Sequence, residues 1–214
     1  MPNAIIFAPL IVLAAALAIH GDYRGPRRAH YVGKPLATIA IIALALTRAP
    51  DAPRTYALAI LIGLICSLAG DIALMLPGDR FVVGLIAFLL AHIAYIVAFA
   101  TAPGARLGPL TVLTFTPLLI YGALVFRTLA PHLGPLRLPV VLYLLVIVAM
   151  ASFALDRWRT AGSSGAALAA CGALLFVVSD TFLARNRFVA PFGAAQALIL
   201  GTYFAAQWLI ALSL

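Results

Sequence analysis

Apolar runs of about 17–22 residues, separated by short stretches rich in Pro, Gly and Arg, recur eight times along the chain. A helix needs about 20 apolar residues to cross the hydrocarbon core of a bilayer, so the pattern predicts eight transmembrane helices. They fall near residues 3–20, 34–48, 55–76, 81–100, 109–127, 138–155, 164–183 and 191–213. The second is short, with Tyr31–Gly33 available to extend it. Lys34 is expected to open it in the segment GKPL, placing Pro35 in the first turn, where a missing N–H does no harm. The N-terminal run lacks a basic region before it and reads as a first span rather than a signal peptide. No linker or low-complexity tract interrupts the series, which predicts one all-α polytopic bundle over residues 1–214.

Composition agrees with a lipid solvent. Charged residues are 9% of the chain, hydrophobic residues 65%, and glutamate is absent. A soluble domain carries about 25% charged residues. The formal net charge of +8 comes from basic residues dispersed among the connections, with no stripe interleaved with aromatics. Anionic lipid headgroups fit that distribution and nucleic acid does not. Cys66 and Cys171 lie inside apolar runs as packing residues, without disulfide or metal-ligand spacing.

Lys and Arg counts set an orientation. Nine fall on the side of the first, third, fifth and seventh connections: Arg24, Arg27, Arg28, Lys34, Arg80, Arg127, Arg137, Arg185 and Arg187. The other side holds five: Arg48, Arg54, Arg106, Arg157 and Arg159. By the positive-inside rule the first side is expected to be cytoplasmic, with both termini outside. A weak internal repeat pairs GDIALMLPGDRFVVG with SDTFLARNRFVAP. It would relate helices 1–4 to helices 5–8 as parallel four-helix repeats about an axis normal to the membrane.

Against this background the polar residues inside spans stand out. An ionised aspartate at mid-bilayer costs about 2.5–3.5 kcal/mol on insertion scales, so its retention points to use. Asp71 and Asp180 each lie about 5–8 Å below the cytoplasmic interface at 1.5 Å per residue. They are expected to meet as a catalytic pair, although a snorkelling or capping carboxylate is the plain structural alternative for either. Lys34 would sit at the same depth as counter-ion or phosphate ligand. Ser67, one turn before Asp71, and Ser179, beside Asp180, can hydrogen-bond carboxylates or simply pack. His92 and Tyr95 share a face with Leu85 and Phe88 near mid-membrane, and Tyr203 and Gln207, four apart, face one way. These four would line a polar interior. Arg80 and Arg185 are candidates for a headgroup phosphate. His20, His30 and His132 fall in or beside predicted loops and no paired-histidine motif recurs, so no metal site is expected. No GxSxG, Gly-rich phosphate loop or CxxC is present either.

At these residues the chain resembles the YhhN-like lysoplasmalogenase family. The likeness rests on GKPL at 33–36, GDIALML at 70–76, FxxGLxAFLLAHIAY from Phe81 to Tyr95, FVVSDTFLA at 176–184 and TYFAAQWLI at 202–210. It is carried by helices 2, 3, 4, 7 and 8 and is faint in helices 1, 5 and 6. The resemblance implies an integral membrane enzyme that hydrolyses the vinyl ether bond of lysoplasmalogens. The products would be a fatty aldehyde and glycerophosphoethanolamine or glycerophosphocholine. It further implies no metal or organic cofactor, and Asp71 and Asp180 as the acidic pair. One carboxylic acid would protonate the vinyl ether while an ionised neighbour steadies the cation and activates water. The residue pattern leaves open which aspartate is the acid. The alkenyl chain is expected to run toward His92 and Phe88, with the substrate entering from the cytoplasmic leaflet. The rival reading is a proton-coupled transporter using the same Asp, His and Tyr residues. A lipid-binding protein without chemistry is the third, and would tolerate asparagine at both aspartates.

Overall fold

The structure is a computed structural model that describes residues 2–106, 108 and 111–214. Its elements are eight long helices: α1 (Pro2–Tyr23), α2 (Arg27–Arg48), α3 (Arg54–Met75), α4 (Phe81–Thr101), α5 (Val112–Leu129), α6 (Arg137–Ala161), α7 (Ser164–Ala184) and α8 (Ala195–Leu212). All eight are long and apolar enough to cross a membrane. Leu13, Ile65, Val83, Ile93 and Leu145 are exposed on the outside of the bundle, as lipid-facing side chains are.

The helix boundaries correct two expectations. α2 starts at Arg27, behind Pro26, so Pro35 lies inside the helix and Lys34 lies two turns in rather than at its mouth. Gly33 explains how that stretch can be buried. A Cβ there would stand 2.6 Å from Ala18 N and 2.8 Å from Ala14 O, so only glycine lets α2 close on α1. α6 continues past residue 155 to Ala161, because Arg159 pairs with Asp156 at 2.7 Å and Gly162, at φ 63°, supplies the left-handed stop. α7 is followed by one π-helical turn, Arg185–Val189. His20 and His30 accordingly lie in the last turn of α1 and the first turn of α2, beside the connection between them.

Because lipid tails are as apolar as leucine, helices in a bilayer associate through close packing of small residues. Gly172 of α7 would place a Cβ 2.8 Å from Ala206 O of α8. On α3, a Cβ at Gly63 would run into the Tyr95 ring of α4, and one at Gly70 would stand 2.6 Å from the Phe88 ring. Gly63→Ala is therefore expected to cost about 1–3 kcal/mol by overpacking and to push Tyr95 off its partner, lowering the melting temperature in detergent. An unchanged melting curve would show that the Tyr95 ring yields freely.

Helix pairing follows the expected repeat with one departure. Hairpins α1–α2 and α3–α4 have counterparts in α5–α6 and α7–α8, and α2–α3 and α2–α8 correspond to α6–α7 and α4–α6. The packing of α1 on α8, however, has no equally developed equivalent between α5 and α4. α5 leans instead on α6 and the π-helical turn. Only Gly122 and Leu129 of α5 are buried.

Candidate active site

Lys34 and Thr38 are four apart on α2, and both face α3, where Asp71 stands one turn from the helix end. Asp71 is fully buried. Its Oδ2 accepts hydrogen bonds from Thr38 Oγ1 and from Tyr203 OH, each at 2.7 Å. Its Oδ1 lies 3.3 Å from the ammonium of Lys34, a residue only 7% exposed. A buried ion pair offsets its desolvation only with the help of further hydrogen bonds, and Thr38 and Tyr203 supply two, both to Oδ2. Behind Tyr203 a chain of donors points the same way. Tyr95 OH donates to Gln207 Oε1 at 2.6 Å, Gln207 Nε2 donates to Tyr203 OH at 3.3 Å, and Tyr203 donates to Asp71.

Asp180, on α7, is held differently. Tyr143 of α6 donates a hydrogen bond to its Oδ2, and its Oδ1 has no protein partner among the described residues. The two carboxyl groups make no hydrogen bond to each other. They line one polar cavity of about 420 Å³, which reaches the basic end of the bundle at Asp79, Arg80, Asn186 and Arg187. There the turn between α3 and α4 is tied to the π-helical turn, with Arg187 Nη2 donating to Asp79 Oδ1 and Oδ2 at 2.8 and 2.6 Å. Asp79 adopts φ 47° beside Gly78 at φ 94°, which the tight turn requires.

The remaining sequence candidates divide. Lys34, Asp71, Arg80, Ser179, Asp180 and Tyr203 all line the cavity, while Tyr95 and Gln207 act behind it through Tyr203. Ser179 donates to Ile199 O at 3.0 Å, clamping α7 to α8 rather than serving Asp180. Ser67 is buried without a hydrogen-bond partner and does not reach Asp71. Arg185 stacks 4.9 Å from the Phe192 ring centroid, and Arg187 takes the place at the cavity mouth. His92 is fully buried between Phe176 and Tyr143, edge-on at 4.6 and 5.3 Å between centroids, and lines neither this cavity nor the apolar one beside it. Neither of its ring nitrogens has a hydrogen-bond partner among the described residues. Thr38 and Tyr143 were missed from sequence. Thr38 was recoverable, one turn beyond Lys34, whereas a single tyrosine in the aliphatic run of α6 carries no local signal. Among the described residues no cluster of His, Cys or Asp has the makings of a metal site.

The YhhN family matches residues 29–214. Lysoplasmalogenase TMEM86B of Sus scrofa is 36% identical over 185 residues, covering 86% of this chain and 75% of that protein. The membrane protein YhhN of Escherichia coli is 30% identical over 210 residues, covering 95% and 96% respectively. Human lysoplasmalogenase TMEM86A is 34% identical over 170 residues, covering 77% and 66%. No solved structure matches. With the family match spanning all the helices from α2 onward and every residue of the cavity, the chain belongs to the YhhN family.

Proposed function

We propose that the protein is a membrane hydrolase that cleaves the vinyl ether bond of lysoplasmalogens, releasing a fatty aldehyde and glycerophosphoethanolamine or glycerophosphocholine. The observation that carries the reading is that two intramembrane carboxyl groups from different helices face one cavity in unlike surroundings. Relatives named lysoplasmalogenase support the substrate class.

The surroundings support a division of roles. Everything around Asp71 donates: Thr38, Tyr203 and the Lys34 ammonium. A proton on that carboxyl would meet a donor, so Asp71 is the ionised partner. Asp180 accepts one bond, from Tyr143, and keeps an oxygen for the cavity that can carry a proton. Asp180 transfers that proton to the vinyl carbon remote from oxygen, leaving an oxocarbenium ion that the Asp71 carboxylate stabilises. Water adds to the cation and gives its proton to Asp71, forming a hemiacetal. The hemiacetal hydroxyl then returns a proton to Asp180 as the C–O bond breaks, and Asp71 protonates the departing glycerol oxygen. Both carboxyls end as they began, and the scheme invokes no cofactor. The headgroup phosphate lies toward Arg80 and Arg187 at the mouth, which faces the cytoplasmic leaflet under the positive-inside rule.

The test is to incubate the purified protein with a lysoplasmalogen and, separately, with an ester lysophospholipid. Aldehyde from the first and no fatty acid from the second is expected. Absence of aldehyde, with uptake of a solute into proteoliposomes instead, would favour the transporter reading.

A further inference from the structure

Beside the polar cavity lies a narrow apolar slot of about 50 Å³ between α4, α5, α6 and α7, in the gap where α5 stands off from α4. The two spaces share Leu74, Phe81, Phe88, Asp180 and Leu183, so Asp180 stands where they join. Beyond it the slot is walled by side chains such as Leu85, Val125, Leu144, Ile147 and Val177. Its hydroxyl groups are already used: Tyr121 and Thr181 hydrogen-bond each other at 2.9 Å, and Tyr143 is bound to Asp180. Nothing polar is left there to recognise a polar ligand, and burying one would be costly.

At its far end the slot meets a second, outward-facing groove of about 390 Å³ along the α5–α6 seam. The residues common to both are Gly122, Leu144 and Val148. At Gly122 the seam is already close, since a Cβ there would stand 3.1 Å from Val148 Cγ2 and any longer side chain would fill it.

We propose that this slot is the closed form of a hydrocarbon channel, which widens as the thinly packed α5 yields and then holds the substrate's alkenyl chain from Asp180 to the seam at Gly122, where the chain passes into the bilayer. The inference rests on the hydrolase reading and deepens it. In a vinyl ether lipid the reacting bond joins the polar glycerol to the apolar chain. A proton donor placed at the junction of a polar cavity and an apolar slot sees that bond when the headgroup occupies one and the chain the other. The route differs from the expected one, because Phe176 and Tyr143 close off His92. It also predicts tolerance of chain length, since the tail emerges into lipid and does not end in a blind pocket.

Two measurements test the channel. Gly122→Leu is expected to lower turnover of long-chain lysoplasmalogens at least about tenfold, as loss of fit in an apolar site does, while short-chain substrates react nearly as before. An unchanged chain-length profile in the folded variant would overturn the channel. Independently, an ester lysophosphatidylcholine carrying a diazirine at its chain end is photolysed on the unsubstituted protein. Label on α5 and α6 peptides around Leu119, Ala123 and Leu145 is expected, and label confined to α1, α2 or α8 would overturn the proposal. Seam labelling in a protein that releases no aldehyde would keep the channel and remove the hydrolase reading. Aldehyde release with labelling elsewhere would do the reverse.

Discussion

Asp180→Asn is expected to lower aldehyde release by about 10²–10⁴-fold, the usual contribution of a positioned general acid, with little loss of stability. Asparagine is nearly isosteric, and its carbonyl oxygen can still accept from Tyr143, so the α6–α7 contact survives. What it lacks is a proton acidic enough to reach carbon. Tyr143→Phe should cost less, because it loosens the acid without removing it, and it should raise sensitivity to substrate position more than it changes binding. Aldehyde measured from purified variants, beside their melting curves, checks both. Full turnover by the Asp180→Asn variant would end the assignment of Asp180 as acid, and an unfolded variant would make the carboxyl a structural residue.

The second large effect is expected at the buried ion pair. Removing one partner of such a pair leaves the other charge without compensation and costs about 3–5 kcal/mol. Lys34→Met should therefore destabilise the bundle by about that much, and Asp71→Asn should do likewise through the stranded ammonium. The double variant Lys34→Met with Asp71→Asn removes both charges and should recover most of the stability. Its activity should stay abolished, since water is no longer activated and the cation has no carboxylate facing it. That split between recovered folding and lost turnover separates a catalytic Asp71 from a merely structural one. A double variant that regains activity along with stability would contradict the role given to Asp71. Additive losses in the double variant would show that Lys34 and Asp71 are not energetically coupled.

The sites of agreement and failure have a common pattern. Eight spans, the lipid-facing surface and the two acidic positions were legible because each is a property of a single segment: its length, its hydropathy, one charged residue where leucine would serve. The start of α2 was misplaced because Arg27, Arg28 and His30 look like a loop when hydropathy alone is weighed. They are helical because Gly33 lets α2 pack on α1. Pro35 looked like a first-turn residue, yet it is accommodated inside the helix. Ser179 was placed with Asp180 by adjacency in sequence, but neighbours in a helix point about 100° apart, and its hydroxyl finds Ile199 on α8 instead. His92 shared a face with Tyr95 as expected, though that face packs on Phe176 and does not line the cavity.

By itself the amino-acid sequence determined the solvent, the number of crossings, the basic end and the presence of acids within the bilayer, because membrane insertion is decided segment by segment. Only the tertiary structure decided what those acids touch. Asp71 takes its partners from α2 and α8, at separations of 33, 37 and 132 residues, and Asp180 takes Tyr143 from α6, 37 residues away. The slot exists because α5 fails to pack on α4. Such arrangements follow from which helix faces close together, a matter of shape and small residues across the whole bundle that no single run of the chain encodes.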